Sequence, residues 1–135
     1  MKQEVEIEFK NLLTKSEYDR LNHSYPFPTQ AVEQINHYFE TPDFQLKKNG
    51  SALRIREKKD GFVLTLKEPH DEGLLETHDP LTKQEMESWL KNQPLAKENV
   101  YHQLETLGIS FEDLKYYGSL KTFRKEVELD EILLV

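Results

Sequence analysis

Hydrophobic and polar residues alternate with a period of two over several short stretches of this chain, most cleanly near its start. In Glu4-Val5-Glu6-Ile7-Glu8-Phe9-Lys10 the apolar residues fall on one side and the charges on the other. Successive side chains of a strand point to opposite faces, so the pattern predicts a strand over about 3–10. The same alternation predicts strands over about 32–40, closed by Thr41-Pro42-Asp43, and over 53–58 and 62–67. Between the last two, Lys59-Asp60-Gly61 carries the Asp-Gly signal of a hairpin turn. A fifth strand is expected around Leu74 to His78. The period then lengthens to that of helices. Thr14 with Glu17, and Thr82 with Glu85, have the spacing of capping boxes, with Leu13/Tyr18 and Leu81/Met86 placed as hydrophobic staples. The first helix ends at Tyr25-Pro26-Phe27-Pro28, because neither proline can extend it. Trp89 and Leu90 continue the buried face of the second, and Met86, Trp89 and Tyr18 are expected as packing residues. Val100, Leu104 and Leu107 mark a third helix, stopped by Gly108, and Ser110 is placed to cap a short turn to Leu114. Strand character returns near Tyr117 and carries Thr122, Arg124, Glu126 and Glu128 on one face, ending in Leu-Leu-Val. Antiparallel strands with helices at the connections make an α+β domain.

Composition changes this picture in two respects. With 135 residues and no linker-like stretch, the expectation is a single domain over 1–135. Only 36% of residues are hydrophobic and 32% are charged, thin for a solid apolar core. A barrel that keeps its apolar side outward, under helices, and its polar side around a cavity would reconcile the two. The net charge of −7 argues against a general nucleic-acid surface but not against a polyanionic ligand, because what matters is where the 18 Lys and Arg sit. The absence of cysteine excludes disulfides and thiolate metal sites and suits a cytoplasmic protein. The charged opening strand is not the pattern of a signal peptide, and no apolar run approaches the roughly 20 residues needed to span a bilayer.

The chemistry lies in the polar halves of the strands. Glu6 and Glu8, two apart, put carboxylates on one face, the oxygen donors preferred by hard divalent cations such as Mg²⁺. Arg54 and Arg56 repeat that spacing with guanidinium forks suited to phosphate, and Lys67 lies across the hairpin. Glu76 offers a further carboxylate, with His78 two residues on, and Arg124 and Thr122 are candidate cavity residues of the late strand. Solvated strand faces with cross-strand ion pairs, for instance Glu57 or Glu68 with a lysine, would show the same alternation. The acidic and basic strands taken together favour a metal and polyanion site. His23, His37, His70 and His102 have no zinc spacing, and there is no Gly-rich phosphate loop. Any phosphate must be held by side chains.

These residues resemble the CYTH superfamily, the triphosphate tunnel metalloenzymes. Glu6-x-Glu8-x-Lys10 resembles its E-x-E-x-K signature. Tyr38-Phe39-Glu40-Thr41-Pro42-Asp43, Ala52-Leu53-Arg54-Ile55-Arg56, Leu64-Thr65-Leu66-Lys67 and Lys121-Thr122-Phe123-Arg124 follow in the family's order. The resemblance implies an antiparallel eight-stranded β-barrel, a tunnel with charged residues lining the bore and helices packed outside. It implies that Glu6 and Glu8 bind divalent metal, Mg²⁺ or Mn²⁺, with Glu76 a further acidic ligand. Lys10, Arg54, Arg56, Lys67 and Arg124 would hold the triphosphate. The family usually adds a late Asp and a closing strand with another Glu-x-Glu. Asp130 with Glu131 is the only candidate for it here, so a tunnel incomplete at the C-terminal end is part of the expectation.

The expected function is therefore a metal-dependent hydrolase acting on inorganic triphosphate or a triphosphorylated organic compound, with Glu6, Glu8 and Lys10 at the catalytic centre. No nucleic-acid or membrane partner is expected. The oligomeric state is left open, a homodimer among the options. An adenylyl cyclase of the class IV type would need the same metal and phosphate grip plus a base pocket. A module that binds polyphosphate or a nucleotide without turning it over is the rival outside enzymes.

Overall fold

The computed structural model describes residues 3–6, 12–28, 31–71, 73–95, 98–129 and 132–135. Among these residues, eight strands and four α-helices follow one another as β1 (Gln3–Glu6), α1 (Lys15–Ser24), β2 (Val32–Glu40), α2 (Gln45–Lys48), β3 (Ala52–Lys58), β4 (Gly61–His70), β5 (Gly73–Leu81), α3 (Lys83–Leu90), α4 (Glu98–Thr106), β6 (Lys115–Arg124), β7 (Val127–Leu129) and β8 (Ile132–Leu134). The first six strands in space form one antiparallel sheet in the order β1-β5-β4-β3-β2-β6, and β7-β8 form a separate pair. The expected single eight-stranded tunnel is thus replaced, among the described residues, by an open six-stranded sheet and a hairpin. The physical reason lies at Lys125-Glu126. The chain leaves strand geometry there, so Glu126 does not continue β6, and β7 pairs with β8 alone.

Local chemistry sets the element ends. Both capping boxes are formed: Thr14 accepts from the Glu17 amide at 3.1 Å and Thr82 from the Glu85 amide at 3.2 Å, and each Glu carboxylate accepts the cap amide in return. The β3-β4 hairpin turns on Lys59 and Asp60, with Gly61 already in the ladder opposite Lys58. Gly108 closes α4 in the left-handed region, φ 72°, where a side chain would be strained. Helix α2 has no counterpart in the sequence pattern. It is held by the buried Glu40, whose carboxylate accepts the amides of Thr41, Leu46 and Lys47 at 2.9–3.0 Å.

One face of the sheet carries the core. Phe39, Leu53, Ile55, Leu64 and Leu66 are buried against Met86 and Trp89 of α3 and Val100 and Leu104 of α4. Phe39 meets the Trp89 ring edge-on at 5.2 Å, and Trp89 meets Phe111 likewise at 5.5 Å. Asp79 fixes α4 by accepting the Val100 amide at 2.8 Å. Tyr18 is a correction to the expected packing set. It is 49% exposed, because α1 buries no residue fully and lies away from the α3-α4 core.

Candidate functional site

Register places the sequence-derived candidates on the opposite face of the sheet. Directly paired residues share a face, and three rows result. Glu4 pairs with Glu76, Glu76 with Lys67, and Lys67 with Ala52. Tyr38 pairs with Arg54, Arg54 with Thr65, and Thr65 with His78. Asn36 pairs with Arg56. One strand further, Gln34 pairs with Thr122 and Val32 with Arg124. Arg54, Arg56, Lys67, Glu76 and Arg124 therefore lie on the uncovered face. Glu6 pairs through its backbone with Leu74, which aligns the acidic strand with the end of β5. Glu8, Lys10, Asp130 and Glu131 lie outside the described residues, and the Glu6 side chain is likewise not described.

The side chains on this face are tied together at its centre. Glu76, 5% exposed, takes Lys67 Nζ at 3.2 Å on one oxygen and His78 Nε2 at 3.4 Å on the other. His78 Nδ1 lies 2.8 Å from the Thr65 hydroxyl. With the ring N–H turned to Glu76, Nδ1 accepts the hydroxyl proton, so one carboxylate orients a lysine, an imidazole and a threonine. His78 thus joins the candidate site, although a lone histidine in the sequence reads as structural; alternation already put it on the face of Glu76.

Cations crowd beside this group. Arg56 Nε donates to Asn36 Oδ1 at 3.0 Å. Its guanidinium is pulled down to about 10, chiefly by burial and then by the neighbouring charges of Arg54 and Arg124, with Glu76 and Tyr38 acting the other way. Three guanidinium groups therefore share one patch of this face. Arg124 lies 2.6 Å from Glu126 Oε1 through Nε, yet that Nε makes no aligned hydrogen bond, so the contact is an ion pair by distance alone. Asn36, Thr65 and Gln34 complete the polar lining. Sequence reasoning passed over them because short polar residues in a strand carry no signal of their own.

A hard divalent cation suits the donor chemistry of the acidic edge. The alternating carboxylates of β1 run beside the strand that holds Glu76. Among the described residues no three His, Asp or Glu side chains come together as a ligand cluster, and Glu76 serves as the counter-ion of Lys67 and His78. Also among them, no helix is long and apolar enough to cross a membrane.

An antiparallel sheet with one helix-covered face and one open face of Arg, Lys and Glu places this chain among α+β domains with a charged sheet surface. Within that class, this chain matches the CYTH domain over residues 4–135. It is 44% identical over 136 residues to YjbK of Bacillus subtilis, named as a candidate triphosphatase, covering all of this chain and 70% of that protein. A crystal structure from Bacillus halodurans, of a protein named as a candidate adenylate cyclase, superposes with a TM-score of 0.90 at 43% identity, covering 98% of this chain and 72% of that one. A Hippeastrum protein, named as a candidate adenylyl cyclase with a dominant triphosphatase activity, shares the fold with a TM-score of 0.69 at 23% identity, over 89% of this chain and 65% of its own. The chain belongs to the CYTH family. Membership implies dependence on a divalent metal in general terms.

Proposed function

We propose that this protein is a divalent-metal-dependent hydrolase of a small-molecule triphosphate. The observation that carries this is the register that sets Arg54, Arg56, Lys67 and Arg124 on one open sheet face, with Arg56 partly buried among them, a basic surface that complements a polyanion. Arg54, Arg56, Arg124, Lys67 and Lys10 hold the phosphates in this reading, with guanidinium forks engaging their oxygens in pairs. Glu6 and Glu8, with Glu76 beside them, hold Mg²⁺ or Mn²⁺. When bound, such a cation polarises the phosphates and makes water a better nucleophile. The protein's own part is to fix the phosphate chain, so that water attacks the terminal phosphorus in line as the bridging P–O bond breaks and charge passes to the leaving phosphate. Cations preset around that charge supply most of the acceleration. The reading includes a sheet closed into an eight-stranded tunnel in the active protein, a cytoplasmic setting, and no nucleic-acid or membrane partner.

Both the CYTH match and the name carried by YjbK support this reading. The cyclase name of the Bacillus halodurans relative favours a second one, in which the same grip holds ATP while the ribose 3′-hydroxyl displaces pyrophosphate. The experiment is release from purified protein with excess Mg²⁺ or Mn²⁺, offering inorganic triphosphate, thiamine triphosphate and ATP, with a chelator control. Metal-dependent phosphate release is expected. Cyclic AMP with pyrophosphate would establish the cyclase. Binding without any product would leave a sequestering module.

A further inference from the structure

Four side chains of the open face form a chain that crosses β4 and β5. The hydroxyl of the buried Thr65 lies 2.8 Å from His78 Nδ1. His78 Nε2 lies 3.4 Å from one oxygen of Glu76, and Lys67 Nζ lies 3.2 Å from the other. The strand under the imidazole is fixed from the covered face. The His78 carbonyl accepts from Asn99 Nδ2 at 3.2 Å, and the next residue, Asp79, takes the Val100 amide at 2.8 Å. The start of α4 therefore clamps β5 at the point where the His78 ring leaves it.

Lys67 stands directly opposite Glu76 in the ladder. A lysine so placed against a bare carboxylate is drawn toward both oxygens and spends its hydrogens there. Here the imidazole occupies one of the two. Its Nε2 carries a hydrogen toward Glu76, because a ring lone pair set against a carboxylate would repel it. Among the described residues the Lys67 ammonium, with three donors, pairs with the other oxygen. We infer that His78 is a positioning residue, which holds one oxygen of Glu76 so that Lys67 keeps to the other and turns its further hydrogens to the phosphate oxygens of the substrate. The inference rests on the triphosphate function proposed above and adds to that site a residue that touches no substrate. Thr65 steadies the imidazole from its other nitrogen.

Calorimetric binding of inorganic triphosphate with excess Mg²⁺, alongside initial rates of phosphate release, tests this. His78→Ala is expected to weaken binding and raise KM about tenfold while kcat changes less than about threefold, because a misplaced charged contact costs affinity in ground and transition state alike. His78→Gln, whose amide reaches the same carboxylate oxygen, restores most of the loss. Lys67→Met weakens binding on its own, and adding His78→Ala to it changes nothing further, since the histidine acts through the lysine. Melting curves establish that each variant folds. Should His78→Ala not fold, Thr65→Val, which releases the imidazole, gives an intermediate loss of affinity in its place. Unchanged affinity in whichever of these two folds, no rescue by glutamine, or losses that add in the double variant would overturn the positioning role and leave the phosphate site standing. Wild type that binds triphosphate without releasing phosphate overturns the hydrolase reading, and the binding series still decides the role of His78. Wild type that binds no triphosphate overturns the phosphate site and this inference with it.

Discussion

The two faces of the six-stranded sheet are built from the same strands and obey opposite rules. On the face under α3 and α4, a buried charge or ring is generally matched. Asp79 accepts the Val100 amide, and the His37 ring lies between Glu57 at 3.0 Å and Tyr116 at 3.2 Å. The rest is apolar and close-packed. On the other face, Arg54 and Arg124 stand near enough to Arg56 to weaken its hold on a proton. Gathering like charges on a partly buried face costs hydration and mutual repulsion, a cost that a ligand bringing negative charge offsets. The covered face holds the fold, and the open face is shaped for a ligand that brings negative charge.

The sharpest way to break this contrast is one substitution on each face. Leu64→Ala removes a fully buried side chain from the centre of the core and is expected to cost about 2–5 kcal/mol of stability. Urea unfolding measures it, and a loss below 1 kcal/mol would mean the core is looser than its burial shows. Arg56→Gln should do the reverse. Losing one charged contact weakens inorganic triphosphate binding by about 1.5–3 kcal/mol, roughly 10- to 100-fold in Kd. Folding should hold or improve, because the charge removed is desolvated among others of its sign. Added triphosphate should accordingly raise the melting temperature of the wild type and hardly that of the variant. A variant that unfolds while still binding would assign Arg56 to the fold.

The contrast also explains what could be seen in the sequence. Local signals survived. Both capping boxes, the span Val32–Glu40 and the glycine stop after α4 are where spacing and turn chemistry put them. Alternation placed Arg54 with Arg56 on one side of β3 and Glu76 with His78 on one side of β5, because a strand has only two faces, and the pairing register then joined them with Lys67. Lost were contacts between segments far apart in sequence. Nothing in Gln3–Glu6 says that it pairs with β5 some seventy residues on. Helix α2 depends on a glutamate of the preceding strand reaching forward to its amides. Gln34 and Thr122 meet only because β2 and β6 are neighbours. The expected eight-stranded closure came from family resemblance, not from any residue signal, and the described strands divide six and two.

A smaller effect tests the helices that cover the apolar face. Thr82→Ala deletes the hydroxyl that caps α3 and should cost about 1 kcal/mol, without changing triphosphate affinity. A change in affinity with unaltered stability would tie α3 to the ligand side.

The smallest expected effect concerns a charged exception to the covered face's rule. Glu68 is 7% exposed, and its Oε2 has no hydrogen-bond partner among the described residues. Burial raises its pKa above the ordinary 4.5, against smaller opposing effects of Gln103 and His70. The folded protein therefore holds this proton more tightly than the unfolded chain. Its contribution to stability is complete below about pH 4.5 and is lost as pH rises through the folded value. At neutral pH the group is a partly desolvated charge on the wrong side of the sheet. Glu68→Gln, which keeps the shape and mimics the protonated form, should raise the melting midpoint slightly at pH 7 and leave it unchanged near pH 4. Midpoints of both proteins followed from pH 4 to 8 should diverge, the wild type falling relative to the variant. Parallel curves would show that Glu68 finds its counter-charge after all.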